Sequence, residues 1–256
     1  MGAGHAAHRL HRPGDSPVHT LPAHCKLLAV LCFVLAVVST PREAVWAFGL
    51  YALLLAAVVA VARLPFGLVL RRLLIETPFV VFALLLPLTV PGETVAPVGA
   101  VELSVPGLWG AWNILAKGTL GVAASVILAA TTELTALLLG LQRLRLPPAL
   151  VQITAFMIRY ADVITEEMRR MSVARRSRGF TARGPRHWRV LAASAGALFV
   201  RAYERGERVH FAMISRGGTG ALPQLADTTA TRAQWSSALA LPATALAVCL
   251  MGWTTR

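Results

Sequence analysis

The sequence predicts an all-α, polytopic integral membrane protein: about five transmembrane helices plus long amphipathic helices outside the bilayer. Three observations carry this. First, of 256 residues 56% are hydrophobic and only 14% charged, with a mean hydropathy of +0.62, against roughly 25% charged in a soluble domain. So few charges cannot cover the surface of a water-soluble chain. Second, five apolar stretches stand out along the chain, four before residue 142 and one at its end. Third, the charge is concentrated: residues 143–216 hold fifteen Arg, five acids and no Lys, ten of the thirteen net positive charges.

The apolar stretches are residues 26–39, 44–62, 73–90, 111–141 and 236–253. A helix needs about 20 residues to cross a hydrocarbon layer of ~30 Å. The first is short and must borrow flanking residues. The fourth, read as one helix, would project beyond the bilayer at ~1.5 Å per residue. Thr40-Pro41-Arg42 breaks the chain between the first two. Residues 1–25 read as a polar tail, 26–141 as spans one to four, 142–232 as an Arg-rich region and 233–256 as the last span. The tail lacks a hydrophobic region of its own, so a cleaved leader is not expected. Residues 190–203 are apolar and leave a sixth span open.

Loop charges give orientation. The tail carries Arg9, Arg12 and Lys26 against Asp15, and the loop after span two carries Arg63, Arg71 and Arg72 without an acid. The loop after span three carries Glu93 and Glu102 without Lys or Arg. The positive-inside rule then puts the N-terminus and the Arg-rich region in the cytoplasm of a cell membrane. The pI near 11.4 is thereby explained without a nucleic-acid partner; the expected surroundings are lipid.

The Arg-rich region repeats itself. A shift of 38 residues pairs Glu166 with Glu204, Arg170 with Arg208, Ala174 with Ala212, and Ser177-Arg178-Gly179 with Ser215-Arg216-Gly217. Within each set Glu, Arg, Ala and Arg stand four apart, one row along a helix, with Glu before Arg in the favourable i,i+4 order. Glycine after each final Arg suits the left-handed position past a helix C-terminus, and Arg in a last turn suits the negative end of the dipole. Each Ala lowers the ridge beside its Arg, which suits close approach by another protein. An exposed Arg is ordinarily a solvated face whose ion pairs are worth a few tenths of a kcal/mol; the duplication argues for more. Arg in place of Lys favours bidentate contact with carboxylates.

These motifs, with Arg159-Tyr160, Glu204-Arg205 and Ala212-Met213, resemble the transmembrane (T) component of energy-coupling factor (ECF) transporters, most closely the cobalt-type CbiQ family. Asp15-Ser16-Pro17-Val18-His19 with Lys26-Leu27-Leu28 is similar to that family's opening segment; Pro78-Phe79, Asn113, Lys117, Leu141, Leu144 and Pro147 look like further shared positions. Leu21-Pro22-Ala23-His24-Cys25 departs from the usual Asp-Pro-Arg-like turn, and the first motif is Ser-Arg-Gly where Ala-Arg-Ser or Ala-Arg-Gly is common. The resemblance implies a non-catalytic coupling subunit of a cobalt importer, with nickel the other metal considered, in a prokaryotic cell membrane. Arg178 would dock on one ATPase subunit and Arg216 on the second. The apolar faces of their helices would move a separate substrate-binding (S) membrane subunit, with a small accessory membrane subunit allowed for. ATP and Mg would be bound by the partner ATPases and no cofactor by this chain. A T component serving a vitamin-binding partner is the alternative within transport. A stand-alone secondary transporter would instead show inverted repeats of broken spans.

No phosphate-binding GxxxxGK[ST] loop and no hydrolase or zinc-protease motif occurs in the sequence. His5, His8, His11, His19 and His24 cluster near the start; they read as a basic tail rather than a metal site, since the resemblance assigns metal to the partner subunit. Cys25, Cys32 and Cys249 lie in or beside apolar runs without ligand spacing and read as small hydrophobes. Glu76, Lys117 and Glu133 lie in or near spans three and four. Glu76 and Lys117 are expected to snorkel at span ends, and Glu133 to lie where helix four leaves the bilayer.

Overall fold

The structure, a computed structural model, describes residues 12–91, 93–98, 101–180, 184, 187–218 and 230–255, with the side chains of residues 75, 94–98 and 101–103 left aside. The elements are α1 (Pro17–Thr20), α2 (Ala23–Ser39), α3 (Val45–Val61), α4 (Phe66–Leu73), a 3-10 turn (Leu74–Glu76), α5 (Thr77–Thr89), β1 (Thr94–Val98), β2 (Val101–Ser104), α6 (Val105–Thr131), α7 (Leu134–Arg143), α8 (Pro148–Ser177), α9 (Trp188–Ile214) and α10 (Arg232–Thr254). The chain divides into two compact units: His11–Gly140 with Asp227–Arg256, and Leu141–Ala226 with Met1–Leu10.

The first unit is the helical membrane body. α6 and α10 are long and apolar enough to cross a bilayer, and α2, α3 and α5 are shorter apolar helices. Leu35, Leu53, Phe82, Leu84 and Leu250 are exposed on its outside, which is favourable only against hydrocarbon. Inside, Phe33 and Val37 of α2, Phe48, Tyr51 and Leu55 of α3, Leu120, Ala124 and Ile127 of α6, and Ala245 and Cys249 of α10 form one core. Phe33 and Phe48 each meet the Tyr51 ring edge to face, at 5.9 and 6.3 Å between centroids.

Polar groups inside this unit are paired where they end or join helices. Thr40 is extended because Pro41 excludes the helical region for its neighbour, and there α2 stops. Thr40 Oγ1 then reaches Ala36 O at 2.8 Å and Tyr51 Oη at 2.8 Å, and Tyr51 Oη reaches Ala245 O at 3.2 Å, so two hydroxyls join α2, α3 and α10. Trp253 Nε1 donates to Ser39 O at 3.0 Å. α10 opens on a capping box, with Gln234 N donating to Thr231 Oγ1 and Thr231 N to Gln234 Oε1.

The fourth apolar stretch is not one helix. α6 begins at Val105, earlier than expected, and stops at Thr131; Thr132 is extended (φ −135°, ψ 129°) and α7 follows. Lys26, only 6% exposed, accounts for the stop. Its Nζ donates to Thr131 O at 2.9 Å, Thr132 Oγ1 at 3.2 Å and His19 O at 3.2 Å. An ammonium thus takes a carbonyl orphaned at a helix C-terminus, at the end where a cation is favoured. Glu133 is exposed in this break. The third stretch starts at the last residue of α4 and is divided into a 3-10 turn and α5, and a hairpin pairing Thr94 with Ser104 and Val98 with Val101 follows it. Glu76 does not snorkel: it is 4% exposed, and a Cβ at Gly118 would come within 2.5 Å of its Oε1. Lys117 Nζ donates to Val38 O at 2.7 Å. Residues 190–203 belong to α9, a 27-residue helix continuing through Glu204, Arg205, Glu207 and Arg208 to Ile214.

The contact of α5 with α6 rests on glycine. A Cβ at Gly107 would lie 2.6 Å from Pro87 Cα and 2.7 Å from Leu86 O, both backbone atoms, whereas at Gly121 nothing lies within 4 Å. Gly107→Ala should therefore force the helices apart and cost about 1–3 kcal/mol in a detergent unfolding titration, while Gly121→Ala should leave the midpoint unchanged or raise it.

Candidate functional site at two helix ends

The second unit presents two long helices whose ends are built alike. α8 starts at Pro148, where a missing N–H costs nothing. It runs 30 residues to Ser177, ~45 Å at the helical rise. There Gly179 N donates to Arg176 O at 3.0 Å and Phe180 N to Arg175 O at 3.0 Å. At the end of α9, Gly217 N donates to Ile214 O at 2.9 Å and Gly218 N to Met213 O at 2.8 Å. Both are the crossed pair of hydrogen bonds of a Schellman end. They require a left-handed residue at the reversal: Gly179 has φ +74° and Gly217 φ +76°. The 38-residue repeat is therefore a repeat of hydrogen bonds as well as of letters.

This geometry sets out the flanking residues. The reversal leaves Arg178 and Arg216 at the outermost turn, both exposed. Ser177 Oγ donates to Ala174 O at 3.0 Å and Ser215 Oγ to Phe211 O at 2.9 Å, so each serine adds a hydroxyl donor to a carbonyl of the last turn; Phe211 O also accepts from Ser215 N at 2.9 Å. Ala174 and Ala212, one turn back, are exposed and leave the arginines unobstructed.

The Glu–Arg rows differ between the copies. Glu166 accepts from Arg169 at 2.7 Å and from Arg170 at 3.2 Å. Hydrogen bonds from Arg169 first and Arg170 second draw its carboxyl down from 4.5 to about 2. Among the described residues no ion pair joins Glu204 to Arg208. The counterpart of Arg169 under the 38-residue shift is Glu207, so the stronger of the two partners is replaced by a like charge. Glu167, absent from the expected set, pairs instead across the helices, with Arg201 Nη1 2.6 Å from Glu167 Oε1. Phe156, Tyr160, Val163, Ile164 and Leu198 line an apolar groove between α8 and α9 beside that pair.

Both helices leave apolar residues uncovered. Among the described residues of α9 none is buried, and Trp188, Phe199, Tyr203 and Phe211 are each more than 60% exposed. Of the histidines, His5, His8 and His11 lie outside the described residues. His19 Nδ1 lies 2.6 Å from Ser16 Oγ, and His24 is buried with its ring 5.6 Å from Trp235; these two are structural parts of the membrane body.

The CbiQ family, described as cobalt transport protein, matches residues 14–226. The chain belongs to the CbiQ family. It is 32% identical over 225 residues to the energy-coupling factor transporter transmembrane protein EcfT of Thermanaerovibrio acidaminovorans, covering 81% of this chain and 82% of that protein. It is 35% identical over 96 residues to the uncharacterized protein MJ1089 of Methanocaldococcus jannaschii, and 28% identical over 223 residues to the putative fused cobalt transport protein CbiMQ of Methanocorpusculum labreanum. These matches cover 38% and 82% of this chain, and in each case the chain spans 36% of the relative's length. By this kinship it is a T component of the CbiQ type, and the CbiQ match takes in both helix ends.

Two outcomes test the CbiQ helix ends. Gly179→Ala and Gly217→Ala should each destabilise by about 1 kcal/mol, because alanine resists a positive φ; amide exchange should rise in the last turn of the altered helix alone. The depressed Glu166 carboxyl means its pairing is fully present above the ordinary value of 4.5 and disappears as pH falls toward about 2. An NMR titration of Glu166 should show this low midpoint, and Arg169→Gln should return it toward 4.5.

Proposed function

We propose that this chain is the coupling subunit of an ATP-driven importer for cobalt, with nickel as the second candidate metal. In this reading the membrane body lies in a prokaryotic cell membrane with the N-terminus and the Arg-rich unit in the cytoplasm. Arg178 docks in an acidic groove of one ATPase subunit and Arg216 in the equivalent groove of a second. The observation that carries the reading is the duplicated helix end. Two identical caps, each presenting one guanidinium, suit two like partners, and a guanidinium makes short, directional bonds to carboxylates.

The steps follow from the residues. ATP and Mg are bound and turned over by the partner ATPases, whose closure displaces the two arginines. A capped helix carries that displacement along its length, because its end carbonyls are already satisfied and the last turn does not unravel. The uncovered apolar residues of α8 and α9 then move a separate substrate-binding membrane subunit, with or without a small accessory subunit, whose surface covers them. The family description and the fused CbiMQ relative support cobalt as cargo. A vitamin-binding partner is the competing reading; the EcfT name of the Thermanaerovibrio acidaminovorans relative specifies no cargo.

Co-expression with the partner subunits, followed by affinity purification and metal accumulation, tests this. Replacing both Arg178 and Arg216 with Glu should abolish ATPase co-purification and uptake; normal cobalt uptake by that double variant would refute the assignment. Removing residues 1–11, with their three histidines, should leave uptake unchanged.

A further inference from the structure

The bend between α3 and α5 holds an arginine in a conformation that a side chain resists. Arg63 has φ +52°. Arg63 N donates to Ala60 O at 3.0 Å and Leu64 N to Val59 O at 3.1 Å, the same crossed pair that ends α8 and α9, where glycine fills the left-handed place. The fold thus accepts glycine at this kind of end, yet here it strains an L-residue. Ala62 and Leu64 on either side are buried, so the backbone is pinned and the Arg63 side chain is held out, exposed.

The next turns continue the surface. In α4 and the turn after it, Phe66, Leu70 and Leu74 stand four apart on one row and are 60%, 70% and 70% exposed. Arg71 beside them is exposed, while Arg72 is half-buried. Residues 62–73 contain no acid, and among the described residues no ion pair involves Arg63 or Arg71. A ligand matching this bend must offer an anion to two guanidiniums and hydrocarbon to three apolar side chains. An acidic groove on a soluble protein meets the first need and not the second.

We propose that the α3–α5 bend is a binding site for an anionic phospholipid: Arg63 and Arg71 hold the phosphate, and the acyl chains lie against Phe66, Leu70 and Leu74. The site rests on α3 and α5 being membrane spans, which puts the bend at the headgroup level, where an amphipathic segment lies in the interface plane. It is independent of the ATPase reading, since it uses neither Arg178 nor Arg216, and its failure would leave that reading intact.

Native mass spectrometry of the full chain in detergent, titrated separately with phosphatidylglycerol and phosphatidylcholine, tests the proposal. Phosphatidylglycerol should be retained in preference. Arg63→Gly and Arg71→Gln should each weaken it about fivefold, with phosphatidylcholine binding unchanged and the preference gone in the double variant. Arg63→Gly should also unfold at a temperature no lower than the parent, because glycine fits the left-handed turn without strain. Should that variant fail to fold, Arg71→Gln alone decides. Equal retention of the two lipids by the parent chain, or full retention of phosphatidylglycerol by the double variant, would overturn the site.

Discussion

A helix leaves its last carbonyls without partners, and this constraint organises the functional unit. At Ser177 and again at Ile214 the chain turns back on itself through a left-handed glycine, and the amides of that glycine and of the residue after it return to those carbonyls. The arginine before each glycine becomes the tip of the element, beside a satisfied backbone. Without the reversal, the same arginine would sit on a fraying turn and any push on it would be absorbed as local unwinding. The serine before each arginine adds a hydroxyl to a carbonyl one turn back. What the repeat preserves is therefore the capped helix end, and the row behind it varies, as the loss of the Glu166-type pairing at Glu204 shows.

The membrane body uses a different means. Bilayer hydrocarbon offers no polar partner, so each interruption of a helix must be answered from within the protein. Thr40 and Tyr51 answer the end of α2, and Lys26 answers the end of α6. The Lys26 contacts bring together residues 105 and 106 apart in sequence. A cation held by neutral oxygens is a costly choice in a low-dielectric setting. It is compensated here by three acceptors and by the negative end of the helix it caps.

These differences explain what could be read in the amino-acid sequence. The glycine reversals at residues 179 and 217 were legible, since glycine is the ordinary signal for positive φ, and so was the Thr40-Pro41 stop, since proline acts on its immediate neighbour. The break at Thr132 was not: no glycine or proline marks it, and its cause is Lys26, far away in the chain. Arg63 and Arg145 also adopt positive φ, at +52° and +61°, and nothing in their side chains announces it. The pairing Glu204–Arg208 was expected from spacing alone. Spacing grants only a few tenths of a kcal/mol to an exposed pair, too little to order two long side chains once Glu207 replaces the partner that Arg169 supplies to Glu166.

The exposed apolar residues of α8 and α9 bear on how such a subunit can work. A helix normally owes most of its stability to an apolar face packed against something. Among the described residues of α8 only Val151 is buried, and in α9 none is. Their helicity within the chain rests on caps, on side-chain pairs along one turn, and on the Glu167–Arg201 pair with the apolar groove beside it. Elements held this way sit at the low-stability end of a fold, where small inputs shift the population of states. A partner that covers those faces adds a large term to one arrangement, and one that pulls on the tips adds a term to another. Under the proposed coupling role the conformation of the pair would be decided by partners rather than by the chain itself, because a differential affinity at one surface shifts an equilibrium far only where the chain's own preference is weak.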